Sequence, residues 1–344
     1  MRYGFLGRQK YIVTDEAVHT SVLKVIMPKQ NASFYVMVLT PYPNTRYLKI
    51  TNRPPFIISR IDLDARYENP SLLFSYDGVC WKEGIRNPIF LPPKDAKRVG
   101  GPHNYDPFLI WNPLEKKAFL FFINWGDRCK NIRLLISSNF RVWIDKGFTN
   151  IEVLEQDGGI RISPSIIYLK EDKKYYMLLV HCNLYMKEKP FVELFQSTNG
   201  LHWEKKNELD MSLHFNGSVF YPWHITIRKV GNEYWALASM NFGKLSKPPM
   251  YLFLFRSKDL VEWEAYENPV LKPNETGFDN NMIYHADLLV DNGIINIWYS
   301  GVSEMNKYSI GMTKGTLMDI NYQNIQSNNL VTIDGDLCLE NFWL

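Results

Sequence analysis

Short runs of alternating apolar and polar residues, closed by tight polar turns, dominate the chain. "YLFLFRS" ends at Ser257 and "FVELFQS" at Ser197. Period-two alternation stopped by turn residues predicts β-strands with one exposed side. Upstream of each such run lies a strand, a polar turn and a second strand. These hairpins are "HTSVLKVIMPKQNASFYVMVL" from His19, "DPFLIWNPLEKKAFLFF" from Asp106, "SPSIIYLKEDKKYYMLLV" from Ser163, "WHITIRKVGNEYWALAS" from Trp223 and "HADLLVDNGIINIWYS" from His285.

The turns that close the units repeat. "SYDGVCWKE" starts at Ser75, "SSNFRVWID" at Ser137, "STNGLHWEK" at Ser197 and "SKDLVEWEA" at Ser257. Each places a tryptophan six positions after the serine, so Trp81, Trp143, Trp203 and Trp263 fall 62, 60 and 60 residues apart. Four strands per unit and five units predict an all-β, five-bladed β-propeller with four antiparallel strands per blade. The blades are expected near 15–85, 100–146, 158–206, 218–266 and 280–320, within one domain spanning 1–344. A β-sandwich followed by a second domain would not keep a sixty-residue stride. The last unit ends in "YSIGMTKG" without the tryptophan turn, as terminal repeats often do. Ring closure needs an edge strand, and either Gln9–Val13 or the tail from Asn329 could supply it. The repeated tryptophans are expected to pack between adjacent blades, because a binding site is asymmetric and these four positions are equivalent.

Composition narrows the class. Of 344 residues, 46% are hydrophobic and 15% aromatic, which suffices for a large core. Lys plus Arg number 39 against 36 Asp plus Glu, too balanced for an electrostatic footprint on nucleic acid or an anionic membrane. No apolar stretch is long enough to span a bilayer, and the N-terminus does not read as a signal peptide, so a protein that is cytoplasmic, or made in the cytoplasm and released by lysis, is expected. Cys80, Cys129, Cys182 and Cys338 are scattered and fit neither a disulfide framework nor a zinc site.

In a propeller the innermost strand of each blade lines the channel, so candidate chemistry lies at the starts of those strands. There the sequence gathers His19, His103, Asp106, Arg161, Trp223, His224, His285 and Asp287. Polar groups facing one cavity need partners or a ligand. No histidine pair has helical metal-ligand spacing, and no GxSxG elbow or phosphate loop is present.

The hairpins, the serine-turn-tryptophan repeats and "YSIGMTKG" resemble the five-bladed propeller glycosidases of glycoside hydrolase families 32, 43, 62, 68 and 130, over roughly residues 15–320. The resemblance implies three carboxylates on successive inner strands, in Asp-Pro, Asp-Pro or Pro-Asp, and Glu-x-Pro settings. Asp106-Pro107 matches the first. The second place holds Ser163-Pro164, preceded by Arg161, and the third reads Phe220-Tyr221-Pro222 with no glutamate. A glycosidase therefore needs a substitute carboxylate: Asp287 is preferred, with Glu16, Asp157 and Asp279 as other choices, the latter two reading more simply as turn residues. Asp106 and Asp287 are thus the expected catalytic pair. His19, His103, Arg161, Trp223, His224 and His285 are the expected sugar contacts. Two other functions stay open: a non-catalytic glycan-binding propeller, or a glycoside phosphorylase holding phosphate with Arg161 and with Arg228 and Lys229. No cofactor is called for, although the resemblance leaves room for a divalent ion on the axis held by His285 and waters.

Overall fold

The computed structural model describes residues 5–42, 68–84, 86–90, 103–126, 130–183, 188–242, 248–317 and 325–333. Cys129, Cys338 and the end of the tail lie outside them. The chain opens with β1 (Phe5–Asp15). Blade I contains β2 (Ala17–Met27), β3 (Ala32–Pro41), β4 (Ser71–Ser75) and β5 (Lys82–Glu83). Blade II contains β6 (His103–Asn112), β7 (Lys117–Trp125), β8 (Lys130–Ser137) and β9 (Ile144–Glu152). Blade III contains β10 (Gly159–Leu169), β11 (Lys174–Asn183), β12 (Phe191–Ser197) and β13 (Glu204–Leu209). Blade IV has β14 (Leu213–Phe215), β15 (Ser218–Val230), β16 (Glu233–Asn241), β17 (Tyr251–Ser257) and β18 (Glu264–Ala265). Blade V has β19 (Met282–Asp291), β20 (Ile294–Val302) and β21 (Tyr308–Leu317), and β22 (Leu330–Thr332) follows.

These strands form five sheets of four or five strands, a five-bladed β-propeller. Among the described residues one 3-10 turn, Pro28–Gln30, is the helical content. No helix there is long and apolar enough to cross a membrane. Both expected closures are used. β1 pairs antiparallel with β21 as the outer strand of blade V. The tail strand β22 runs parallel to β2 on the inner side of blade I.

Burial separates inner from outer strands. β10 is buried at nearly every position because neighbouring blades cover both its faces, whereas β13 is exposed at five of six. The apolar clusters accordingly lie between blades; one joins blades I and II, another blades IV and V. The repeated tryptophans seal these contacts, as expected. Trp203 is 5% exposed and lies edge-on to Phe121 of blade II and Tyr175 of its own blade. Trp81 meets Tyr35 and Trp298, bridging blades I and V.

Each inner strand breaks register once, near its start: between Val18 and Ser21, Tyr105 and Phe108, Ile162 and Ser165, Pro222 and His224, and Ile283 and His285. Pro107, Pro164 and Pro222 sit at three of these breaks, since a bulge tolerates a residue that cannot donate to the ladder. Five bulges at one level form a ring around the axis.

Candidate functional site

A β-bulge re-aims a side chain that regular alternation would point elsewhere. In blades I to III the bulge residue takes a left-handed backbone: φ is 58° at His19, 50° at Asp106 and 57° at Ser163. Such strain, of order 1–3 kcal/mol per residue, persists where the surroundings fix it. The His19 amide donates to Ser300 Oγ at 3.2 Å, and the Ser163 amide donates to Asp106 Oδ2 at 2.8 Å. In blades IV and V the bulges deliver His224 and His285.

Four of the expected residues meet at the axis. The His19 ring centroid lies 5.1 Å from that of His224 and 5.7 Å from that of His285, and the latter two are 5.3 Å apart. His19 Nε2 and Asp106 Oδ1 are 3.1 Å apart, yet neither atom has a hydrogen-bond partner. One ligand atom each of His19, Asp106 and His224 lie within 4.8 Å of one another, all three residues buried. Both ring nitrogens of His224 and Nδ1 of His285 are also without hydrogen-bond partners. So many orphaned polar atoms in one buried place are costly unless something binds them.

Burial sets the electrostatics. It pushes the Asp106 carboxyl up to about 7, against the Ser163 N–H and the nearby His103 charge. It pushes His19 down to about 4, only partly opposed by Glu68. His224 and His285 are held well below the ordinary value by burial and then by charge on the neighbouring imidazole of His19. Neutral imidazoles with free lone pairs beside a carboxyl are a donor set for a divalent cation. The Nδ1 atom of His19 lies 3.0 Å from Thr40 Oγ1, the kind of outer contact that orients a metal-binding ring.

Beside this cluster stands His103, whose Nε2 is 2.6 Å from Glu68 Oε2. Both charges are felt at His19. Tyr284 packs 4.7 Å from His224 and 5.5 Å from Tyr308, which lies 4.6 Å from Tyr42; Trp223 flanks His224 at 5.7 Å. Together they make an aromatic wall. Glu68, Thr40, Tyr42, Tyr284 and Tyr308 were not singled out from the sequence. Glu68 had a signal: Glu68-Asn69-Pro70 is a Glu-x-Pro triplet, placed just before β4 of blade I and against β6 of blade II rather than on β15.

Other expected residues are engaged elsewhere. Asp287 does not join the cluster. It lies two residues, about 7 Å, deeper along β19 than His285. It is fully buried, takes Arg228 Nε at 2.9 Å on Oδ1 and the Val22 amide at 2.7 Å on Oδ2. Arg228 also reaches Ser21 Oγ, at 3.1 Å, so it ties blades rather than facing a ligand. Lys229 pairs with Glu171 at 2.9 Å. Arg161 is held by Glu193 and Glu155, each at 2.6 Å. Ser163 Oγ bridges to the backbone of Ile225 in the next blade. Asp157 caps the turn at Gly159, Asp279 is buried against Tyr299 and Asn274, and Glu16 is half-buried between β1 and β2.

No family model matches the chain. A curated relative, "A type blood N-acetyl-alpha-D-galactosamine deacetylase" of Flavonifractor plautii, is 27% identical over 301 residues, covering 73% of this chain. The chain spans 38% of that relative's length. Among solved structures, an N-acetylgalactosamine deacetylase from F. plautii in complex with blood group B trisaccharide superposes with a TM-score of 0.66 at 22% identity, covering 90% of this chain and 92% of that one. A family 117 glycoside hydrolase from Zobellia galactanivorans gives 0.54 at 13% identity, covering 97% and 92%. The chain therefore has the five-bladed propeller fold shared by glycoside hydrolases and their relatives.

Proposed function

We propose that this protein is a carbohydrate-active amide hydrolase that removes the N-acetyl group of an N-acetylhexosamine bound at the mouth of the propeller. The observation that carries the reading is the buried His19–Asp106–His224 donor set with its unpartnered ligand atoms. The curated relative's name, a deacetylase of N-acetyl-α-D-galactosamine, supplies the substrate class. A divalent cation held by these residues would polarise the amide carbonyl and lower the pKa of a water beside it. Asp106 supplies the negative charge of the set, and His19 and His224 supply neutral nitrogen. His103, held by Glu68 at 2.6 Å, is the adjacent acid–base pair. It takes a proton from the attacking water and delivers one to the departing amine nitrogen. Tyr284, Tyr308 and Trp223 face the apolar side of the sugar ring.

A second reading, glycoside hydrolysis, is favoured by one observation: Glu68 gives the mouth a second carboxylate besides Asp106. The same experiment separates the two. Purified protein is incubated with an oligosaccharide ending in α-linked N-acetylgalactosamine, with and without a chelator, and acetate and free sugar are both measured. Acetate release that stops on chelation and returns with divalent metal is expected. Sugar release without acetate would establish the glycosidase reading instead. Acetate release untouched by chelation would remove the metal from the mechanism.

A further inference from the structure

We propose that a cleft between blades IV and V, on the same face as the axial cluster, is a second sugar subsite that holds a neutral unit adjoining the N-acetylhexosamine. The inference rests on the function proposed above and extends its substrate to an oligosaccharide. The cleft is shallow and open to solvent, about 560 Å³ in volume, and is lined by Tyr251, Lys272, Asn274, Glu275, Asn280 and Asn281, with prolines at its edge.

It adjoins the site through shared walls. Met250 pairs with Met282 across the two blades, and the Ile283 amide donates to the Met250 carbonyl at 3.0 Å. Trp223, Tyr284 and Tyr308, the aromatics around His224, pack on Met250, Met282 and Val302. Asn281 precedes His285 by four residues of nearly extended chain, about 13 Å, within reach of a short oligosaccharide.

The lining is chemically suited to hydroxyl groups. A carboxamide donates and accepts through neighbouring atoms, as a pair of sugar hydroxyls requires, and Tyr251 offers a ring face. Lys272 and Glu275 balance in charge, which favours a neutral unit over an acidic one. The segment carrying these groups is also held in place from beneath. Asp279, fully buried, accepts from Tyr299 Oη at 2.9 Å and from Asn274 Nδ2 at 2.8 Å. The Phe278 ring sits where a Cβ on Gly301 or Gly311 would collide with it. Asn280 Oδ1 accepts the Glu304 amide at 3.0 Å, so on this anchored loop it is the Asn281 carboxamide that is presented, with little ordering cost on binding.

The test compares two substrates in wild type, Asn281→Ala and Lys272→Ala. One is the methyl α-glycoside of N-acetylgalactosamine; the other is a tetrasaccharide ending in the same sugar with neutral inner units. KM and kcat are read from acetate release, and binding of the N-deacetylated tetrasaccharide is read by ligand-observed NMR. Each variant should raise KM for the tetrasaccharide about two- to tenfold, the loss of one hydrogen bond, with kcat and the single-sugar kinetics unchanged. Equal changes on both substrates, or none on either, would overturn the subsite. If no acetate is released from either substrate, the NMR arm still decides: binding weakened by both variants supports the subsite while the amide-hydrolase reading fails.

Discussion

Asp106 occupies a position that tests two requirements at once. Its backbone is left-handed at φ 50°, and its carboxyl is buried and pushed up to about 7. Asparagine suits both better, since it tolerates this backbone region and carries no charge to desolvate. Asp106→Asn should therefore retain or slightly raise the melting temperature while turnover falls by orders of magnitude, because the donor set loses its only anionic member. Calorimetry and acetate release on one preparation check both halves, and a large drop in melting temperature would make Asp106 structural. Thr40 acts one step further out, through His19 Nδ1. Thr40→Val preserves shape but removes the hydroxyl, and should weaken divalent-metal affinity about 10- to 100-fold. Titration with a competing chelator measures it; unchanged affinity would exclude His19 as a ligand.

The repeated turn explains its own sequence. In all four, the serine Oγ accepts a turn amide, and Asp77, Asn139, Asn199 or Asp259 accepts two more through Oδ1. The residue three after the serine has positive φ, and is Gly78, Phe140, Gly200 or Leu260. Glycine relieves strain there, whereas Phe140 and Leu260 retain it and bury apolar area instead. At the end of the turn, Trp203→Ala should cost about 3–5 kcal/mol in urea unfolding, and the more exposed Trp263 less. On β12, burial pushes the Glu193 carboxyl up, but hydrogen bonds from Arg161 and Lys205 outweigh it and hold it below the usual value. Stability from this group is present above its unfolded pKa and lost as pH falls through the lowered native one. Glu193→Gln should lower the melting temperature at pH 7 and flatten its fall below about pH 4.5. A melting-temperature series against pH reads both effects.

Across the whole ring, Arg228 and Asp287 act as a hub below the candidate metal centre. Arg228 belongs to blade IV, Asp287 to blade V, and their partners Ser21 and Val22 to blade I. Removing one partner of a buried ion pair leaves an uncompensated charge, so Arg228→Ala should lose about 3–5 kcal/mol. Arg228→Met combined with Asp287→Leu should recover much of that loss. Denaturant midpoints of the three proteins decide it. A double variant no better than the single one would show that geometry, not charge, holds the blades here. Closure is shared with the termini: β1 completes blade V, and Asn329 Nδ2 donates to the carbonyls of both Val22 and Leu288 at 2.9 Å.

The stride of the tryptophans, the hairpins, the blade number and the chemistry of each turn were readable in the chain alone. They depend on alternation, turn residues and spacing, which are local properties that repetition amplifies. His19, Asp106, His224 and His285 could be placed at strand starts for the same reason. Their gathering at one channel followed from the blade number, but which of them touch did not, because that depends on the five bulges that turn particular side chains inward. Depth along the channel was equally hidden: His285 and Asp287 share a strand face, yet one reaches the cluster and the other meets Arg228. Glu68 lies just before β4, in the β3–β4 connection of blade I, where no periodicity marks it. Only the packing of blade I against blade II puts its carboxylate against His103, the first residue of β6, since the two are far apart in the chain.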